Sequence, residues 1–148
     1  AAGESLSLME VSGQGTVYFA VDAQDITIIE LNNDALHVEA SQLLALVGQL
    51  RTDVKFAGLR GAGSGQGLFT TVVSGTGLVA VLSKGGPIIA LEVSPQYPLF
   101  ADPAHRGQLN QSFVTDVTWR SAIGGGSGEA FSLRFDGSGV VYIQPEER

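Results

Sequence analysis

The chain has 148 residues, 44% hydrophobic and 16% charged, with 20 glycines, no cysteine and a net charge of −7. That is enough apolar surface for one core, and the glycine content points to tight turns rather than long helices. The lack of cysteine excludes disulfides and thiolate chemistry, and eight scattered basic residues against fifteen acidic ones oppose nucleic-acid binding.

In chain order, Leu6–Met9, Ser12-Gly13-Gln14-Gly15 and Thr16–Phe19 come first, and they read as strand, turn and strand. Ile26–Leu31 follows as a further strand. Leu36-His37-Val38-Glu39-Ala40 alternates, so that His37 and Glu39 share one face. Ser41–Val47 predicts a helical turn, with Ser41 at its N-cap, running into a buried strand. Thr70–Val73, Ser74-Gly75-Thr76-Gly77 and Leu78–Leu82 repeat the first hairpin signal. Ile88–Val93 is a strand, and Asp102–His105 a turn equivalent to the one at Ser41. Tyr97-Pro98-Leu99-Phe100 carries apolar mass suited to a core or to a contact surface. Phe131–Phe135, Asp136-Gly137-Ser138-Gly139 and Val140–Ile143 give the third hairpin signal.

The glycine pairs at 13/15, 75/77 and 137/139 are spaced by 75 − 13 = 62 and 137 − 75 = 62 residues. Ile26–Leu31 and Ile88–Val93 share that offset, while Thr52-Asp53-Val54 returns as Thr115-Asp116-Val117 at 63 and Gly48-Gln49-Leu50 as Gly107-Gln108-Leu109 at 59. The reading is one all-β domain over residues 1–148, built of repeated antiparallel hairpin units. Residues 22–82 and 83–144 are two whole copies, and residues 1–21 are the end of an incomplete first one. About forty upstream residues would complete that copy at this period. Either they have been removed, or the chain covers an open sheet edge by association.

Most motifs that suggest chemistry fail on context. Gly61–Gly67 looks like a phosphate cradle, but it leads into Leu68–Val72, a strand rather than a helix. Gly124–Gly128 occupies the same place one copy later, and both read as connectors. Ser12 and Ser74 give way to Asp136 in the third copy, a substitution that keeps a turn role and loses a nucleophile. Trp119 beside Arg120 reads as strand packing rather than as a stacking site. No metal site is expected, because the only histidine besides His37 is His105. The candidate ligand contacts are His37, Glu39 and Asp53, in a pocket between copies.

Several stretches resemble the altered-inheritance-of-mitochondria family, a large bacterial family with mitochondrial relatives. They are the Gly-X-Gly signatures, Ser41-Gln42-Leu43-Leu44-Ala45, Leu68-Phe69-Thr70-Thr71, Gly128-Glu129 and the ending Gly137-Ser138-Gly139-Val140-Val141-Tyr142-Ile143-Gln144. The chain departs from the pattern at its front, where members usually carry further sequence before the first Gly-X-Gly. The resemblance implies β-rich units similar to the tryptophan RNA-binding attenuation protein, in a β-sandwich or β-prism with pseudo-threefold character. It transfers no ligand, cofactor or catalytic residue, since fold does not carry function.

The expectation is therefore a non-enzymatic β-scaffold or interaction module acting as a homo-oligomer, without cofactor. The alternative is a small-ligand binder or enzyme using the pocket. No apolar run approaches the ~18 residues of a membrane span, so no membrane insertion is expected. The start AAGESLSL lacks signal-peptide features, which predicts a cytoplasmic protein.

Overall fold

The structure is a computed structural model and describes residues 6–56, 69–101, 111–114, 117–122 and 132–144. The long strands are β1 (Asp25–Val38), β2 (Leu43–Phe56) and β3 (Phe69–Ser83). The shorter ones are β4 (Ile89–Val93), β5 (Leu99–Ala101), β6 (Gln111–Val114), β7 (Val117–Ala122), β8 (Ser132–Gly137) and β9 (Gly139–Ile143). They form a six-stranded sheet in the order β2-β3-β1-β6-β9-β4 and a three-stranded sheet in the order β5-β8-β7, with all these neighbours antiparallel. The all-β expectation holds. No helix among the described residues is long and apolar enough to cross a membrane.

β3 is rich in Val and Thr and lies between β1 and β2, where both of its faces are covered. Thr70–Val73 and Val79–Ser83 are all buried. A near-continuous run of β-branched and apolar residues is what a strand enclosed on both sides requires.

The Gly-X-Gly signatures are not hairpin turns. Gly75 and Gly77 lie inside β3, so Thr70–Val73 and Leu78–Leu82 are two halves of one strand and do not pair with each other. A two-residue hairpin loop needs positive φ at adjacent central residues. Here an extended residue separates the glycines, and the strand bends without reversing. Its neighbours yield at the same level: Gly77 stands opposite Leu31 and Gly48, and Gly75 opposite Asp34 and Leu50. On β1 the register slips between Leu31 and Asp34, with Asn33 at φ 49° and its N–H donating to Thr76 Oγ1 at 3.0 Å. Gly48 on β2 has φ +109°. The result is a corner running across three strands, produced by a bulge and glycines.

Gly137-Ser138-Gly139 is the same device used to change sheets. β8 ends at Gly137 in the three-stranded sheet, and β9 begins at Gly139 in the six-stranded one. Gly13 and Gly15 have φ of 132° and 144°, close to the 128° and 158° of Gly75 and Gly77. Their flanks, however, contain no strand: residues 6–24 pair with nothing in regular ladders, and the expected first hairpin is absent.

β1, β2 and β3 make one three-strand unit, and the six shorter strands reproduce its pairing with the corner cut through. Ile29 stands opposite Val79, and Leu91 opposite Val141, both members 62 residues on. Past the corner Leu36 faces Val73 and Leu99 faces Phe135, offsets of 63 and 62. Against β2 the relation differs. Leu46 faces Val79 and Phe113 faces Val141, giving 113 − 46 = 67, and Leu50 faces Gly75 as Val117 faces Gly137, again 67. The Thr-Asp-Val match at 63 therefore does not mark equivalent places. The Gly107–Leu109 match lies outside the described residues, as do the turn at Asp102–His105 and the loops at 61–67 and 124–128.

The helical turn before β2 is a single 3₁₀ turn, Ala40–Gln42, and its N-cap is Glu39, not Ser41. It runs directly into β2, as expected. Two clusters make the core. One joins Ile29, Leu31, Leu36, Val38, Val73, Val79 and Val81. The other joins Val93, Val117, Leu133, Phe135 and Val141, with Leu99 and Ile143 packed against it.

Candidate functional site

His37 and Asp53 fall on one row across three strands, because each stands opposite Val72 of β3. Same-row residues share a face, so their Cα atoms are separated by two strand spacings, about 10 Å, with Val72 between them. His37 is half-buried. Desolvation lowers its pKa from the ordinary 6.5, and the Lys55 ammonium on β2 lowers it further. Glu39 lies beyond the end of β1, where its carbonyl accepts the Gln42 N–H at 2.9 Å and its carboxylate makes no cap bond.

The three candidates do not line one concavity. Asp53 borders an open groove with Leu6, Leu8, Thr52 and Val54, and neither His37 nor Glu39 lines it. Among the described residues, no group of three or more His, Asp or Glu could hold a metal ion. His105 lies outside the described residues, and of Trp119 the structure gives only the strand position, opposite Phe135.

The corner itself makes a second open cleft, lined by Asn32–Ala35, Arg51, Ser74 and Gly75. It is polar because the bulge turns Asn32-Asn33-Asp34 outward, and the Asp34 carboxylate accepts the Ala35 N–H at 2.7 Å. The signal for it was readable: three consecutive turn-forming residues interrupting an apolar strand mark a bulge.

The most distinctive surface is apolar. In residues 6–21, Met9 is 79% exposed and Tyr18 92%, and Leu8, Val11, Val17, Phe19 and Val21 are exposed as well. At the sheet edges Val47 on β2 is 61% exposed and Phe100 on β5 55%, with Tyr97 exposed just before β5. Of the two roles open to Tyr97–Phe100, Leu99 takes the core one, packing on the second cluster. Phe100 and Tyr97 face solvent, and the Arg134 guanidinium lies 5.6 Å over the Phe100 ring while its Nε donates to Asp136 at 2.8 Å.

A family model described as mitochondrial biogenesis AIM24 matches residues 1–146. Searches of curated proteins and of solved structures return no match.

Proposed function

The chain belongs to the mitochondrial biogenesis AIM24 family, and from that premise we propose that it is a non-enzymatic β-scaffold, an interaction module that works as a homo-oligomer. The observation that carries this reading is the segment Leu6–Val21. At the 62-residue offset its Met9, Val11, Val17 and Phe19 correspond to Thr71, Val73, Val79 and Val81 of β3, all four of which are buried. The segment has the residue pattern and the glycine torsions of a central strand, yet its apolar side chains face water. An apolar surface of this kind is a contact surface. The β1–β3 unit and the six shorter strands are read as two copies of a repeat with pseudo-threefold character, and Leu6–Val21 as one strand of a third. A cysteine-free, acidic chain suits a reducing, cytoplasmic setting and protein partners rather than nucleic acid.

Light scattering across micromolar concentrations tests the proposal, with hydrogen exchange on residues 6–21 beside it. The expected result is an oligomer in which those amides become protected as concentration rises. A monomer with the segment already protected would overturn it.

The alternative, a small ligand held near His37 and Asp53, has one observation in its favour, the desolvated imidazole. It predicts that a bound small molecule shifts the His37 ring resonances and leaves the corner residues unmoved.

A further inference from the structure

The β1–β3 unit and the unit of six shorter strands are joined edge to edge, and the counterparts of the two joined edges are themselves left unpaired among the described strands. Within the chain, the second half of β1 pairs with β6: Leu36 stands opposite Val114 and His37 opposite Phe113, antiparallel. The counterpart of that β1 half in the other unit is β5, since Leu36 faces Val73 as Leu99 faces Phe135. The counterpart of β6 is the first half of β2, since Phe113 faces Val141 as Leu46 faces Val79. β5 pairs only with β8, and β2 only with β3, so each has one unpaired edge among the described strands.

We propose that β5 of one copy pairs with the first half of β2 of a second copy, antiparallel, with Leu99 opposite Val47 and Phe100 opposite Leu46. The register is that of the β1–β6 junction carried over by the pairings above. Three observations favour a second copy of this chain as the occupant. The intrachain junction shows that two such edges fit together. Both edges are uncharged, Leu43–Gly48 on one side and Leu99–Ala101 on the other, so neither carries the charged residues that normally keep an edge strand from pairing. The two most exposed apolar side chains on these edges, Val47 and Phe100, are the ones the pairing would cover.

The faces also agree. Leu46 packs against the first core cluster, so Phe100 opposite it would lie along that cluster in the partner. Leu99 packs against the second cluster, so the partner's Val47 would extend it in turn. The contact is heterologous: each copy offers β5 and receives on β2, and assemblies close into a ring or grow. This inference rests on the self-association reading and names its interface.

The chain has no cysteine, so single-cysteine variants report without background. Val47→Cys chains mixed with Leu99→Cys chains, under mild oxidation, should give a disulfide-linked heterodimer, because directly opposed antiparallel residues approach within disulfide range. Val47→Cys mixed with Ala101→Cys, two residues out of register, should give much less. Val47→Lys and Phe100→Lys should each weaken association at least tenfold, while Ile28→Lys, an equally exposed apolar position on β1, should not. Circular dichroism and melting curves confirm that each variant is folded. A monomeric parent chain overturns both this interface and the self-association reading. An oligomeric parent without the Val47–Leu99 crosslink, or with both lysine variants still associated, overturns the interface alone.

Discussion

At the scale of single residues, two glycines with the same torsion separate conformational need from packing need. Gly75 and Gly13 have φ of +128° and +132°, a region L-residues avoid. A Cβ on Gly75 would fall on the carbonyl oxygen of Gln49, whereas one on Gly13 would meet nothing within 4 Å. Gly75→Ala should therefore destabilise by about 2–4 kcal/mol, and Gly13→Ala by under about 1 kcal/mol, because an unpaired segment relaxes its backbone. Urea unfolding of the two variants checks this, and equal midpoints would contradict the corner. His37 gives a second residue-scale expectation. Its folded pKa lies below the unfolded 6.5, first through burial and then through Lys55. Stability is therefore fully present above pH 6.5 and declines as pH falls through the lowered folded value, where the unfolded chain takes up the proton first. His37→Gln should flatten that part of the pH–stability curve. Lys55→Met should raise the His37 pKa seen by NMR without restoring it fully, since burial is the larger cause.

At the scale of elements, the start of β2 is tied to the end of β9 by a side-chain amide pair. Gln42 Nε2 donates to Gln144 Oε1 at 2.6 Å, both residues are buried, and Gln42 Oε1 has no partner among the described residues. A buried amide already half-satisfied makes the remaining bond costly to lose. Gln144→Leu should destabilise by about 1–3 kcal/mol, and the double variant Gln42→Leu/Gln144→Leu should recover the part that comes from the stranded Gln42 amide, because that amide is then gone. Chemical denaturation of the single and double variants measures the difference. A double variant as unstable as the single would mean that the amides act through other neighbours.

At the scale of the whole molecule, charge and apolar surface oppose each other. Every copy carries −7, so copies repel over distances comparable with the Debye length, about 10 Å at 0.1 M salt. The surfaces proposed to attract are uncharged strand edges and the exposed apolar side chains of Leu6–Val21. Raising salt from about 20 to 300 mM screens the first and leaves the second, and should strengthen self-association. Sedimentation velocity at the two salt concentrations reads this directly. Association that weakens with salt would mean that ion pairs, not apolar edges, hold the copies together.

Much of the fold was legible in the residues because local chemistry has a local cause. Alternating and β-branched runs favour strands, and they form them everywhere described except at Leu6–Met9 and Thr16–Phe19. The Ser41 stretch indicated a helical turn leading into β2, and the Gly-X-Gly spacing located three bends of like torsion. Asn32-Asn33-Asp34, three turn-forming residues in an apolar run, mark the bulge locally. Direction was not legible. Whether glycines reverse a chain or bend it depends on which strands lie alongside, and β3 is straddled by β1 and β2 from distant parts of the sequence. The Thr-Asp-Val match failed for the same reason, since pairing with β3, not local identity, fixes where β2 and β7 correspond. The candidate site divides in the same way. The alternation of Leu36–Ala40 put His37 and Glu39 on one face, but only strand register set Asp53 in the row of His37 and left Glu39 past the strand's end. Composition determined an acidic, cysteine-free chain, and the pattern of its residues the all-β class. Tertiary structure decided which apolar residues are core and which, like Val47 and Phe100, stand at open edges, because burial belongs to neighbours brought together by pairing and not to the residue itself.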